Sequence, residues 1–258
     1  MEVREVPKAK EGNRDNQGDW ITWHRVAVKT SANIASYPSR EECLNKMLES
    51  IRGQFDVVRV YCNGLDTSHI PDWAYVVNNE QDGDLTDLGK FRFLTGFGVR
   101  AEYYFTLDDD LIYPKGYARD MVQAIQEHEC IVTHHGRKLI GKGRKYYGGH
   151  VLTHCLEKSL RDKEIDVAGT GVMAFDTRYY RPYIWRDQRM RMADLVFSED
   201  AALSGKKIKA LAHPEGYFKY LNPKETIHSK DQHHQDRLIE VADKIYEINA
   251  PRNTHPLQ

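Results

Sequence analysis

The segment TLDDDLIYP, residues 106–114, places three adjacent carboxylates, Asp108, Asp109 and Asp110, directly after an apolar run, Tyr103-Tyr104-Phe105-Thr106-Leu107. Three neighbouring anions repel one another, so the arrangement is costly unless cations or hydrogen bonds offset it. If the strand continued through the triplet, side-chain alternation would put Asp108 and Asp110 on one side and Asp109 on the other. Two carboxylates converging on a point suit a hard divalent cation, Mn²⁺ or Mg²⁺, that keeps some of its waters and carries a diphosphate. The alternative is a solvated acidic turn capping the next helix. An apolar strand running straight into the triplet favours the ion.

Three other segments carry chemistry. In GDLTDLGKF, residues 83–91, two glycines and two aspartates make a tight loop that can hold the ammonium of Lys90 against phosphates. In DVAGTGVMAF, residues 166–175, Gly169-Thr170-Gly171 precedes an apolar strand and permits close backbone approach to a ligand. In RMADLVFSED, residues 191–200, Asp194 stands at the start of a helix, as an N-cap or as a general base for an incoming hydroxyl. Each of these also fits an ordinary loop, turn or cap.

The elements that must position these groups follow from the apolar spacing. Val26-Ala27-Val28 is a short strand that Ile34-Ala35-Ser36 either extends or follows as a loop. Ser39 and Glu42 form a capping box before a helix carrying Leu44, Met47, Leu48 and Ile51, with Gly53 as its stop. Val57 to Tyr61 is the next strand, ending at Asn63-Gly64. Strand, helix and strand in about 40 residues is the βαβ pattern of a parallel sheet, whose ligand crevice lies outside the strand carboxyl ends. Further strands are expected at 74–77, 103–107, 129–133, 172–175 and 208–211. Helices are expected after Pro114 (Ala118, Met121, Val122 and Ile125 inward), near Ala193, and after a Ser229–Gln232 cap (Leu238, Ile239, Ala242 and Ile245). Residues 136–150 are glycine-rich and basic, and read as a long mobile loop.

The whole chain sets limits on function. Its 258 residues carry 37 basic and 38 acidic side chains for a formal net charge of -1, which excludes a generally polycationic nucleic-acid binder. No apolar run approaches the roughly 20 residues needed to span a bilayer, and residues 1–20 lack the apolar stretch of a signal peptide. Cys43, Cys62, Cys130 and Cys155 show no CxxC spacing, so reduced thiols are expected rather than a zinc ribbon or disulfide scaffold. The expectation is a cytoplasmic α/β protein: a flexible arm over 1–24, then one domain over 25–258.

Taken in order from about Val26 to Leu221, these segments resemble glycosyltransferases of the GT-A fold, in the family-2-like branch found among bacterial capsule and lipopolysaccharide enzymes and in phage genomes. The resemblance rests on ASYPSREECLNKMLESI with Gln54, VRVYCNG, GDLTDLGKF, YYFTLDDDLIYPKGY, the Gly169-Thr170-Gly171 strand and Met192-Ala193-Asp194. It implies a Rossmann-like nucleotide-binding sheet flanked by helices, with a nucleotide-sugar half at 25–113 and an acceptor half at 114–258, in the cytoplasm of a bacterium or phage-infected host. It also implies transfer of a sugar from a nucleotide diphosphate to a hydroxyl, by a single displacement that inverts the anomeric centre. By position, Ser36 and Arg40 would face the nucleotide and phosphates, and Asn63 would stand where many relatives read the base with an aspartate. Lys90 would touch the diphosphate or sugar. Asp108 and Asp110, with His213 ahead of His228 as a late histidine ligand, would hold Mn²⁺ or Mg²⁺, and Asp109 would lie near the donor sugar. Gly169, Thr170 and Gly171 would line the acceptor side, and Asp194 would be the catalytic base.

The acceptor clue is basic. Residues 136–150 hold Arg137, Lys138, Lys142, Arg144 and Lys145 with no acid. Residues 178–191 interleave Arg178, Arg181, Arg186, Arg189 and Arg191 with Tyr179, Tyr180, Tyr183 and Trp185. Such stretches can take an anionic glycan or a lipid phosphate, or grip phosphates and stack on bases; a solvated basic face with core tyrosines has the same composition. A glycan acceptor is preferred to the hydroxymethylated DNA bases of phage-type enzymes. Two other classes are a phosphatase or nuclease and a non-catalytic nucleic-acid-binding module. A haloacid-dehalogenase-type phosphatase would place its aspartates early in a DxDx[TV] context, which this triplet does not match.

Overall fold

A computed structural model describes residues 28–95, 101–187, 192–223 and 235–250. The strands are β1 Val28–Ser36, β2 Val57–Cys62, β3 Tyr75–Asn78, β4 Ala101–Leu107, β5 Leu111–Ile112, β6 Ile131–Thr133, β7 Gly136–Lys138, β8 Val151–Thr153, β9 Lys163–Ile165, β10 Val167–Ala168, β11 Val172–Asp176, β12 Ile208–Ala210 and β13 Lys219–Tyr220. The helices are α1 Glu41–Ile51, α2 Tyr117–His128, α3 Ala193–Leu203 and α4 Gln235–Asn249. None of the described helices is long and apolar enough to cross a membrane.

Eight strands form one sheet in the order β3-β2-β1-β4-β11-β6-β12-β9. The first four run parallel, β11 is antiparallel to both β4 and β6, and β12 is parallel to β6. This register decides what shares an edge. Ser36 lies opposite Cys62, Ile34 opposite Leu107, and Val172 opposite Leu107. The chain therefore leaves β1, β2 and β4 at the edge where it enters β11, which brings together Ser36, Asn63, Asp108 and Gly171. β6 ends at this edge too, with the His134 N–H donating to the Val172 carbonyl at 3.2 Å. The result is the mixed α/β sheet flanked by helices that the GT-A resemblance leads one to expect.

Alternation along the strands feeds two cores, one on each face. Ile34, Val60, Phe105 and Leu107 meet Leu44, Met47, Leu48 and Ile51 of α1 and Met121 and Ile125 of α2. Tyr61, Tyr104, Met173 and Phe175 meet Leu195 and Phe197 of α3 and Leu238, Ala242 and Ile245 of α4. Each fully buried large apolar side chain contributes about 1.5–3 kcal/mol of transfer free energy. The sheet is thus held from both sides, and its edge is a rigid platform.

Several expectations need correction. Val28 to Ser36 is one unbroken strand, while Val26, Ala27 and the arm over 1–24 lie outside the described residues. Ser39 is not the N-cap of α1: it lies inside the 3₁₀ turn Pro38–Arg40, α1 begins at Glu41, and the N-cap residue, Arg40, makes no side-chain cap bond. Glu42 pairs with Lys46 at 2.6 Å. Residues 136–150 are not simply a mobile loop, because β7 opens the segment and Leu139 and Tyr146 are buried. Ser229 and Gln232 fall outside the described residues, and α4 is described from Gln235.

Candidate active site

β4 ends at Leu107, and Asp108, Asp109 and Asp110 form a turn into the short strand β5. Strand alternation consequently stops before the triplet and does not sort Asp108 and Asp110 onto one side against Asp109. The partition is different. Arg40, on the 3₁₀ turn after β1, reaches Asp109 at 3.2 Å and Asp110 at 2.5 Å through one nitrogen. Ser36 donates its hydroxyl to Asp109 at 2.6 Å. Asp108 turns the other way and pairs with Lys90. It is the open member of the triplet, its side chain 43% exposed against 5% for Lys90.

The turn is anchored from beneath. The Asp108 N–H donates to the Tyr113 hydroxyl at 2.8 Å, and that hydroxyl donates to the Gly171 carbonyl at 2.5 Å. Tyr113, the aromatic of the LIYP segment, therefore ties the acidic turn to the start of β11. β13 pairs with β5, and the Leu221 N–H donates to the Asp110 carbonyl at 2.9 Å. The late part of the chain thus closes over the turn.

Asp194 sits in the first turn of α3. One of its carboxylate oxygens, Oδ1, accepts both the backbone N–H and the hydroxyl of Thr170, at 2.8 and 2.7 Å. Asp194 is therefore not the N-cap, and among the described residues its second oxygen has no hydrogen bond. The cap is supplied from elsewhere: Asp87 of the GDLTDLGKF segment accepts the Ala193 N–H at 2.8 Å. That segment is a 3₁₀ helix over Thr86–Leu94 that buries Lys90. Asn63 orders its entrance, donating to the Thr86 carbonyl and accepting the Leu85 N–H, both at 3.0 Å.

Among the described residues the carboxylates here outnumber the cations. Five carboxylates (Asp87, Asp108, Asp109, Asp110 and Asp194) surround two cations, Arg40 and Lys90. Burial alone would lower the Lys90 ammonium, yet Asp108, Asp87 and Asp194 hold it above its ordinary value. Asp109 is pushed up to about 7, chiefly by burial, against the pull of Arg40 and the Ser36 hydrogen bond. Burial and the neighbouring Asp108 charge likewise raise Asp110. Asp194 is raised by burial, against the two Thr170 bonds.

A raised carboxyl means that the folded state holds its proton more tightly than the unfolded chain. The stability this contributes is complete below 3.8 and is lost as pH rises through about 7 for Asp109. Asp87, Asp110 and Asp194 act with the same sign. The melting temperature is accordingly expected to fall across that window, and to fall less in Asp109→Asn, as thermal denaturation at stepped pH would measure.

The remaining expected residues separate. Thr170 bonds Asp194, Gly171 lies against the Asp108 carboxylate, and Gly169 lies against His135. His213 is buried among His134, Tyr217 and Phe218. Its Nδ1 bonds the Leu211 carbonyl at 3.0 Å, and its Nε2 has no hydrogen-bond partner among the described residues. A histidine donating Nδ1–H to a carbonyl presents a lone pair at Nε2, which is the form metal-ligating imidazoles take. No described contact joins His213 to Asp108 or Asp110, and the three do not form a cluster of converging ligand atoms among the described residues. Arg189, Arg191 and His228 lie outside the described residues.

The basic segments are largely occupied within the fold. Lys138 pairs with Asp166 at 3.0 Å, and Lys142 pairs with Glu247. Arg178 pairs with Asp176 at 2.6 Å. Arg137 lies over Tyr146 and Arg186 over Trp185, with guanidinium-to-centroid distances of 4.6 and 4.4 Å. Tyr180 and Trp185 are buried, whereas Tyr179 and Tyr183 are 77% and 61% exposed. Sequence reading did not single out Tyr113, Asp87 or the neighbouring His135, His154 and Cys155. The aromatic after the triplet and the Asp–Lys spacing in GDLTDLGKF were the available signals for the first two.

No protein-family model matches the chain, and no curated protein matches it significantly in sequence. Among solved structures, the chain is similar to the crystal structure of TarS 1–349 from S. aureus, with a TM-score of 0.48 and 15% identity over 86% of this chain and 72% of that one. It is also similar to the crystal structure of A197 from STIV, with a TM-score of 0.43 and 14% identity over 74% of this chain and 83% of that one. At these identities the likeness is one of chain path.

Proposed function

We propose that this protein is a glycosyltransferase that moves a sugar from a nucleoside diphosphate donor to a hydroxyl of a glycan acceptor, inverting the anomeric configuration. One observation carries the reading. At the carboxyl edge of the sheet, an acid-rich turn with Arg40 and Lys90 against it faces a separate carboxylate, Asp194, held by Thr170.

On this reading Ser36 and Arg40 lie beside the nucleotide and its phosphates, Asn63 beside the base, and Asp109 beside the donor sugar. Asp108 and Asp110, with His213 as the proposed nitrogen donor, would hold Mn²⁺ or Mg²⁺, which would supply positive charge to the leaving diphosphate. Lys90 and Arg40 add fixed positive charge where negative charge develops. Both Thr170 bonds fall on one oxygen of Asp194, so its other oxygen is available to take the proton of an acceptor hydroxyl as that oxygen attacks the anomeric carbon. Gly169 to Gly171 leave room for the acceptor beside it. The internal pairing of Arg137, Arg178 and Arg186 favours a glycan over DNA, and over a non-catalytic nucleic-acid module. Exposed Tyr179 and Tyr183 offer flat apolar faces of the kind that stack on sugars.

Thermal denaturation with a panel of nucleoside diphosphates tests the reading. A diphosphate should stabilise the chain only when Mn²⁺ is present, by about 2.7 kcal/mol at a hundredfold excess over the dissociation constant. The effect should vanish in Asp110→Ala. A flat panel would remove the donor site. Labelled nucleotide sugars incubated with a glycan extract or with hydroxymethylated DNA would then separate the two acceptors.

A further inference from the structure

β7 and β8 form an antiparallel hairpin in which Gly136 lies opposite Thr153. One step beyond that pair, at the open end of the hairpin, His135 faces His154, followed by Cys155. Their rings meet edge to face, with centroids 4.9 Å apart, and potential ligand atoms of His135, His154 and Cys155 all lie within 4.8 Å of one another. We propose that these three side chains form a metal site that takes Zn²⁺, separate from the aspartates of the acidic turn.

The donor set decides the ion. Two imidazoles and a thiolate suit a borderline-soft cation such as Zn²⁺, whereas Mg²⁺ prefers oxygen. Zinc bonds of roughly 2.0–2.3 Å place neighbouring ligands roughly 3.5 Å apart, so the observed spacing closes with small side-chain movements. Both imidazoles have lone pairs engaged only by long backbone contacts. Nδ1 of His135 accepts the Cys155 N–H at 3.4 Å, and Nδ1 of His154 accepts the Leu156 N–H at 3.2 Å.

The surroundings hold the cluster in place. The His135 carbonyl accepts the Gly169 N–H at 2.8 Å and the Thr133 hydroxyl at 3.0 Å. A Cβ on residue 169 would stand 2.7 Å from the His135 ring, so only glycine there admits the imidazole. Cys155 is buried and the two histidines are half-buried, which leaves the cluster reachable by an ion from solvent. Three protein ligands leave a fourth tetrahedral position for water or another group. The bound ion would fasten the β7–β8 hairpin to the end of β6, beside the acidic turn.

Cobalt substitution reads this site independently of sugar transfer. Full-length protein stripped with a chelator is titrated with Co²⁺. One equivalent should produce thiolate-to-cobalt charge-transfer absorption and the intense visible bands of a tetrahedral centre, and Zn²⁺ should abolish both while excess Mg²⁺ should not. Asp110→Ala should give the same spectrum as the parent chain. Cys155→Ser should lose the charge-transfer band entirely, and His154→Gln should weaken Co²⁺ binding at least tenfold, with circular dichroism checking that each variant folds. No charge-transfer band in the parent chain, a band that survives Cys155→Ser, or loss of the band in Asp110→Ala would each overturn the proposal. Because Asp110→Ala removes the donor effect but not this spectrum, failure here is distinct from failure of the transferase reading.

Discussion

Replacing Asp194 with asparagine is expected to cut turnover by about 10²–10⁴-fold, the contribution typical of a positioned general base, while leaving donor binding intact. An asparagine keeps the shape of the side chain and an oxygen for the Thr170 N–H and hydroxyl, so the first turn of α3 should stay in place. What it loses is the basic oxygen directed away from Thr170. Burial raises the pKa of Asp194, against the two Thr170 bonds, and a stronger base accepts an acceptor proton more readily. Turnover in the parent chain should therefore rise with pH as Asp194 ionises, and Asp194→Asn should lose that limb of the profile. Steady-state kinetics, together with calorimetric titration of the donor, separates the two effects. Normal turnover in Asp194→Asn would take the residue out of its role, and loss of donor binding would make it a structural strut.

The second large effect is expected from a single methyl group. In Gly171→Ala the new Cβ would stand 1.9 Å from one carboxylate oxygen of Asp108 and 2.3 Å from its carboxyl carbon. Gly171 cannot retreat easily: its carbonyl accepts the Asp108 N–H at 3.1 Å and the Tyr113 hydroxyl at 2.5 Å, and Val172 is in the sheet. The carboxylate must move instead, breaking its pairing with Lys90. Overpacking of this kind costs about 1–3 kcal/mol of stability, and the Mn²⁺-dependent stabilisation by a diphosphate should disappear altogether. Calorimetric titration with diphosphate and Mn²⁺, alongside a denaturant melt, checks both. Retained binding in Gly171→Ala would show that Asp108 is not part of the donor site.

The order of elements was legible because the chain states it twice, in period and in punctuation. Continuous apolar runs marked β2, β4 and β11, and helical spacing marked α1 and α2 down to the inward residues Ala118, Met121, Val122 and Ile125. The acidic triplet was legible as a cluster, but its internal partition was not. Whether Asp108 and Asp110 share a side depends on where β4 stops, and a strand end is set by its neighbours' register rather than by its own residues. The start of α1 lies later than Ser39 for a related reason: Arg40 is drawn into Asp109 and Asp110, and the 3₁₀ turn at Pro38–Arg40 precedes the helix. The basic segments misled most. Their acids sit far away in sequence, Asp166 for Lys138 and Glu247 for Lys142, so each stretch looked unpaired when read alone. His135, His154 and Cys155 escaped notice because a hairpin register, not a spacing rule, makes them neighbours.

The pairing of β13 with β5 has a consequence for biosynthesis. The acidic turn acquires its second backbone support only when Lys219 and Tyr220 dock on Ile112 and Leu111. During translation, the aspartates leave the ribosome about a hundred residues before that support exists. A nascent chain would thus expose an unsupported acidic turn for several seconds, at elongation rates of about 5–20 residues per second, and would complete it only once Tyr220 has cleared the exit tunnel.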